Sequence, residues 1–183
     1  MIKLVYIALL TLLATVCQGQ KSDNLEKIFL DLKYTSDVKA LFDSIEKNPN
    51  FKLKTSRVNF MNSWEFDAKF IGKSETYANA DSILISVVTC NENAAPFKAG
   101  ADNCKAIKVL YYLKDMNAVE TNYQRMDGVI KSSILSNNPD WKNQSGAGSG
   151  VYMLSGGTYP YIALDKKTFK SNYLSIRYTS FEK

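Results

Sequence analysis

The chain has 183 residues, of which 45% are hydrophobic and 22% are charged, and its formal net charge is +5. These are ordinary values for one globular domain with a sizeable core, so they exclude a wholly disordered chain and a protein with many membrane spans. The sequence contains no histidine. This excludes Ser-His-Asp and Cys-His catalysis, zinc or copper bound through imidazole, and a histidine pH switch. The lysines are scattered rather than clustered, so we expect no nucleic-acid partner.

Residues 1–19 are predicted to be a signal peptide. An apolar run of about 13 residues follows Lys3, which is too short to span a bilayer comfortably and typical of a signal-peptide hydrophobic region. The remainder, residues 20–183, is then a single α+β domain that is secreted or periplasmic. Cys17 allows another interpretation, because a leucine a few residues before a cysteine resembles a lipobox. A lipid on Cys17 would make the protein a membrane-anchored lipoprotein, and we expect a membrane partner only in that case.

The first element after this segment is predicted to be a helix in two pieces over residues 23–47. Asp23 begins a capping-box pattern, and apolar residues then recur at helical spacing. A second apolar stripe starts thirteen residues later, on a different face of a straight helix. We therefore expect a break at Tyr34–Ser36, with Thr35 or Ser36 capping the second piece.

The hydrophobic period then changes to two. Four strands are predicted in "FKLKTSRVNF", "WEFDAKF", "SILISVVTC" and "KAIKVLYYLK", with a β-bulge near Arg57. A helix follows over "NAVETNYQRMDGVIKSSILSNN", with a capping box from Asn117. After a glycine-serine loop, "DWKNQSGAGSG", come three strands in "VYML", "YPYIAL" and "NYLSIRYTSF".

The order α-α-β-β-β-β-α-β-β-β predicts an α+β domain with helices packed on an antiparallel sheet. Helices followed by strands occur twice, which suggests an internal duplication. The glycine-rich segment 146–150 is not expected to bind phosphate, because it follows a helix and opens a strand.

Cys90 and Cys104 are predicted to form a disulfide. An exported protein meets an oxidising compartment, and these cysteines lie at the facing ends of two predicted strands. If they are directly opposite in an antiparallel hairpin, paired residue numbers sum to 194. One face of the hairpin is then wholly apolar, and a shift by one residue would destroy that match. The apolar pairs in this register are Val87 with Ile107, Ile85 with Val109, and Ile83 with Tyr111. A metal site lacks its four usual ligands, so we expect no metal or cofactor.

The loop closed by this disulfide, residues 91–103, is a candidate recognition element with an apolar tip. The tip comprises Ala94, Ala95, Pro96, Phe97 and Lys98. A protease-inhibitor loop presenting Phe97 or Lys98 is one specific form of this hypothesis, and a surface loop without special function is the alternative. Further candidate binding residues are aromatic, because such side chains can form a platform for a sugar or a protein: Trp64, Tyr159 and Tyr161.

Carboxylates, or a serine that acts without histidine, offer the remaining routes to catalysis. Glu65 and Asp67 are about 6.6–7 Å apart on one strand face, a spacing that could suit a glycosidase pair. However, they alternate with apolar residues, which is typical of a solvent face. Our main hypothesis is therefore a binding protein rather than an enzyme, with a protein, a glycan or a surface component as its partner. The alternative is a histidine-free hydrolase that uses carboxylates, with Glu120 as a further candidate.

Overall fold

A computed structural model describes residues 24–58, 64–74, 77–89, 104–144, 149–154, 160–167 and 171–181. Its helices are α1 (Leu25–Ile28), α2 (Val38–Lys47) and α3 (Met116–Ile130), and α3 continues as a π-helix (Lys131–Leu135). Its strands are β1 (Phe51–Val58), β2 (Trp64–Phe70), β3 (Ser82–Thr89), β4 (Cys104–Tyr112), β5 (Trp141–Asn143), β6 (Ser149–Leu154), β7 (Tyr161–Lys167) and β8 (Tyr173–Phe181).

The eight strands form one sheet in the order β1-β2-β3-β4-β8-β7-β6-β5, and all neighbouring strands are antiparallel. Each half of the chain supplies a helical segment and then four sequential strands, and the last strands of the two halves, β4 and β8, pair at the centre. The predicted antiparallel sheet with added helices is confirmed. The predicted element order is not, because the second half has a fourth strand, β5. The internal duplication stays a prediction.

One face of the sheet is covered by the helices. Residues alternate along β3 between buried and half-buried positions, and the buried ones face the helical layer. Phe42 of α2 packs edge-to-face on Phe66 of β2, with ring centroids 5.2 Å apart. Val119, Met126 and Ile130 of α3 are fully enclosed, and this helix contacts β7 and β8. The apolar stripes of the helices and the apolar faces of the strands thus share one core.

The first helical segment differs from the prediction. Asn24, rather than Asp23, caps α1, and the helix ends after four residues. The chain then turns through Leu30 and Asp31, whose φ angles of 62° and 59° are left-handed and incompatible with a continuing helix. The predicted apolar residues of this segment are nevertheless buried: Leu25, Ile28, Phe29 and Leu32. Helical spacing identified the core residues of this segment correctly. The predicted helix nevertheless ends early, because two residues with positive φ angles follow its first turn.

Two further caps were assigned to the wrong residue. Asp37, rather than Thr35 or Ser36, caps α2, since its carboxylate accepts a hydrogen bond from the Ala40 amide at 2.8 Å. Asp115, rather than Asn117, caps α3 in the same way, through the Ala118 amide. In both helices the capping side chain accepts a hydrogen bond from a backbone amide of the first helical turn. The apolar pattern used for the prediction does not include the capping residue.

The predicted register of the β3–β4 hairpin is confirmed. The pairs Val87 with Ile107, Ile85 with Val109, and Ile83 with Tyr111 all occur, and all six side chains are buried. The final described pair is Thr89 with Lys105, so continuation by one residue would set position 90 opposite position 104. Cys90 and the side chain of Cys104 lie outside the described residues, among which no disulfide is seen. The disulfide therefore stays a prediction.

Two irregular features were misplaced. The β1–β2 register shifts between Leu53 and Thr55, not near Arg57. The segment predicted to be a glycine-serine loop supplies strand at both ends, since Trp141–Asn143 form β5 and Ser149 begins β6. Pairing with the rest of the sheet overrides the weak strand propensity of Gly150.

Gly150→Ala is expected to lower the free energy of unfolding by about 1–3 kcal/mol, because an added methyl group would overpack a filled site. A Cβ atom at this position would lie 3.1 Å from the ring and the hydroxyl of Tyr152, which is fully buried. That hydroxyl donates a hydrogen bond to Asp127, so the ring cannot easily move away.

Gly128→Ala is the matched control, because Gly128 lies inside α3 and a Cβ there would meet no atom within 4 Å. This change should raise the free energy of unfolding by up to about 1 kcal/mol through helix propensity. Urea unfolding followed by circular dichroism measures both variants. Equal effects of the two changes would contradict the packing described for Gly150.

Candidate functional site: the open face of the sheet

The second face of the sheet, here called the open face, is formed by the strand residues that point away from the helices. No helix or strand among the described residues packs on it. On β3 it presents Ser82, Leu84, Ser86 and Val88, all half-buried by their neighbours on the strands beside them. A half-buried face of this extent leaves room for another molecule and is the best candidate for a functional surface.

Two positive charges lie directly opposite each other at the centre of this face. Lys108 of β4 pairs with Arg177 of β8, and both side chains are half-buried. No ion pair or side-chain hydrogen bond within the described part of the chain engages either of them. Partial burial lowers the pKa of Lys108, and the positive charge of the Arg177 guanidinium lowers it further. Like charges in directly opposed positions destabilise a sheet, so the fold itself gains nothing from this pair.

Apolar and aromatic rows flank the two cations. On one side, Val88 pairs with Ala106, and on the other, Leu84 pairs with Leu110. One row further along β4 and β8, Tyr112 pairs with Tyr173, with ring centroids 5.7 Å apart. The Nζ atom of Lys167 lies 5.9 Å from the centroid of the Tyr173 ring. The centre of the open face therefore combines two cations with apolar side chains on β3 and β4 and with the hydroxyl groups of Ser175 and Thr179 on β8.

The rest of the open face adds to its positive charge. Its paired positions carry seven basic residues and three acidic ones. Two of the acidic ones are already engaged: Arg57 forms an ion pair with Glu65, and the Thr55 hydroxyl donates to Asp67 at 3.1 Å. The basic residues are Lys52, Arg57, Lys69, Lys108, Lys142, Lys167 and Arg177, and the acidic ones are Glu65, Asp67 and Asp165. The face is thus positive overall.

The structure brings few of the predicted site residues together. Tyr161 begins β7 and is half-buried on the open face, where it pairs with Thr179 and Met153. Trp64 begins β2, and its side chain is not described. The strand pairings place Tyr161 in the same row of the open face as Glu65 of β2. Position 64 directly precedes Glu65 in this strand and so belongs to the other face of the sheet. The remaining candidates lie outside the described residues: Ala94, Ala95, Pro96, Phe97, Lys98 and Tyr159.

The predicted carboxylate candidates sit in ion pairs and hydrogen bonds at the surface. Glu65 and Asp67 are on the open face, as described above. Glu120 of α3 lies 2.6 Å from Lys166, which lowers the pKa of its carboxyl group through that hydrogen bond. A general acid would need a raised pKa instead. Among the described residues there is also no cluster of three metal-ligating side chains.

A cavity of about 200 Å³ lies on the helical side, beside the π-helix. Its described lining contains no carboxylate and no basic residue. Burial raises the pKa of Tyr34 to about 12, so that its hydroxyl stays protonated near neutral pH. The full lining is Tyr34, Thr35, Ser133, Ile134, Asn138, Trp141, Ile162 and Tyr178. The cavity therefore offers neither a pair of acid–base groups nor an activated nucleophile.

Lys108 and Arg177 were not identified as site residues from the sequence. Each is an ordinary basic residue in an alternating strand, and the two are far apart in the chain. In the predicted β3–β4 register Lys108 faces Ser86 on the side opposite the apolar pairs, but only the pairing of β4 with β8 reveals the facing cation. No short-range signal encodes that contact.

Within the described ranges, no helix is long and apolar enough to cross a membrane. No protein-family model, curated protein or solved structure matches the chain. The functional argument therefore rests on the geometry of the open face.

Proposed function

We propose that the protein is a small exported, disulfide-stapled binding protein that holds a partner on the open face of its sheet and does not act by catalysis. The observation that carries this proposal is the central pair of half-buried cations, Lys108 and Arg177, which form no ion pair with any described residue. An arrangement that weakens the isolated fold is characteristic of a surface kept for function. A partner that covers these charges would remove the penalty.

The apolar surround supports binding rather than simple solvation. Leu84, Val88 and Leu110 are aliphatic residues on a face that no described element covers. A contiguous patch of this kind with polar residues at its rim is typical of interaction sites. Export and the Cys90–Cys104 disulfide belong to this proposal as well, since they rest on the sequence and on the hairpin register.

The hydrolase alternative receives less support. Its candidate carboxylates, Glu65, Asp67 and Glu120, accept hydrogen bonds or form ion pairs at the surface, and none lines the cavity beside the π-helix. The lipoprotein alternative depends on Cys17, outside the described residues. Mass spectrometry of the mature N-terminus tests it, because a lipid would add its own mass to Cys17.

Affinity capture from the native extracellular or periplasmic fraction tests the proposed binding face. The wild-type protein should retain a partner, and Leu110→Arg should lose it, because a charged side chain in the apolar row would block close contact. Met116→Arg is the matched control, since Met116 is 63% exposed in the helical layer and its replacement adds the same group. Retention of the same partner by Leu110→Arg would show that the open face is not the binding surface.

A further inference from the structure

We propose that the partner is a protein with an acidic patch, whose carboxylates dock on Lys108 and Arg177 while its apolar side chains cover the adjoining rows. This inference rests on the proposed function of the open face and names the chemistry of the partner. Electrostatic complementarity of this kind selects the partner and speeds its association, and apolar contact around the charges supplies affinity.

The charges require an anion rather than a neutral group. Lys108 and Arg177 are direct cross-strand neighbours, and both are half-buried. The charge of Asp165 on β7 raises the pKa of Lys108, against the larger effects of burial and of Arg177, but the two residues form no described ion pair. A carboxylate placed between two such cations, in a setting from which apolar residues exclude water, forms charge-assisted hydrogen bonds with both.

The surroundings favour a protein over an acidic polysaccharide. On β3 and β4 the rows beside the cations hold aliphatic side chains, Val88 and Ala106 on one side and Leu84 and Leu110 on the other. Aliphatic side chains add affinity when contact with other apolar groups removes them from water. A sulfated or uronic sugar chain offers few apolar groups for such contact. The seven basic residues are spread over three strands of each half rather than forming the dense track that a linear polyanion would follow.

The size of the open face fits a protein interface. Strands lie about 4.8 Å apart, so eight of them span about 34 Å, and a nine-residue strand is about 30 Å long. The product, on the order of 1,000 Å², is close to the roughly 800 Å² that each partner contributes to a standard interface. A second copy of this chain is disfavoured, because both copies would present the same positive surface.

A peptide-display selection on the intact folded protein tests the partner chemistry. Short random peptides displayed on phage are selected for binding, and the probes in the parallel arms are heparin and phosphatidylglycerol vesicles. We expect enrichment of peptides that combine Asp or Glu with aliphatic or aromatic residues. Lys108→Glu should weaken their binding by at least about tenfold, since it repels the carboxylates.

The same variant separates a binding role from a structural one. Lys108→Glu would face Arg177 as an ion pair, so its melting temperature should equal or exceed that of the wild type. Lys33→Glu, at an exposed position between α1 and α2, is the charge-matched control and should bind within about twofold of the wild type.

The outcomes decide between the hypotheses. Acidic peptides that lose affinity on Lys108→Glu but not on the control support the inference. Enriched peptides without acidic residues, no enrichment at all, or Lys108-dependent binding of heparin or vesicles alone would overturn it. The proposed function survives any of these results if Leu110→Arg still abolishes capture of the native partner, and fails if Leu110→Arg has no effect there.

Discussion

Ile107→Ala is expected to lower the free energy of unfolding by about 2–5 kcal/mol, whereas Leu110→Ala on the same strand should cost less than half as much. The two changes remove the same number of carbon atoms from β4. Ile107 is fully enclosed on the helical side, between Val87 and Tyr178 on the neighbouring strands. Leu110 is half-buried on the open face.

The difference follows from the cavity that each truncation leaves. Around Ile107 the core contains residues of both halves of the sheet and of α3, so the gap cannot close without moving several elements. Beside Leu110 the space opens to solvent, and water fills it. Equilibrium urea unfolding, followed by circular dichroism, measures both values. A Leu110→Ala cost equal to that of Ile107→Ala would mean that the open face is covered by another part of the chain.

The two variants should show the reverse order for binding. Leu110 lies in the row beside the central cations, so its truncation should weaken partner binding while the fold remains intact. Ile107 touches nothing on that face. Comparing stability and binding for these two variants of one strand therefore separates residues that hold the sheet together from residues that bind the partner.

The sequence predicted local pairing well because the β3–β4 register is encoded twice. The apolar positions require the pairing in which Val87 faces Ile107, and the predicted Cys90–Cys104 disulfide would require the same pairing. A slip of one residue would turn a continuous apolar face toward water. Short hairpins of this kind, with one buried face, carry enough information in a few residues for a correct prediction.

Features that depend on distant residues could not be predicted in the same way. The turn at Leu30 and Asp31 has no glycine to mark its left-handed φ angles, and it is accompanied by tertiary hydrogen bonds, from the Tyr77 hydroxyl to Asp31 and from the Tyr111 hydroxyl to the Ile28 carbonyl. Strand β5 has three residues and forms by pairing with β6.

The candidate site is the clearest case of this limit. Lys108 and Arg177 occupy ordinary outward positions of two separate strands, and their chemistry arises only where the two halves of the sheet meet. A predicted strand order would have been needed to see two cations in direct opposition. The aromatic candidates were chosen by residue type alone, and the strand positions 64 and 161 belong to opposite faces of the sheet.

Replacing Cys90 and Cys104 by serine is expected to lower the free energy of unfolding by about 3 kcal/mol, the value for closing a loop of about 15 residues in the chain-entropy model. The observed β3–β4 pairs end one residue before these positions, and continuation of the ladder by one residue would set them directly opposite, at a spacing that suits a disulfide. The disulfide would then close residues 91–103 onto the end of the hairpin that lies beside β8.

Three measurements check this prediction. The non-reduced wild-type protein should have a mass about 2 Da below the sum for free thiols, as loss of two hydrogens requires. A reducing agent should lower its melting temperature to that of the double-serine variant and leave that variant unchanged. Cys104→Ser alone should match the double variant, since one remaining thiol closes no loop. A wild-type protein whose melting temperature ignores the reducing agent would contradict the disulfide while leaving the hairpin register intact, because Ile83, Ile85 and Val87 hold that register through the core.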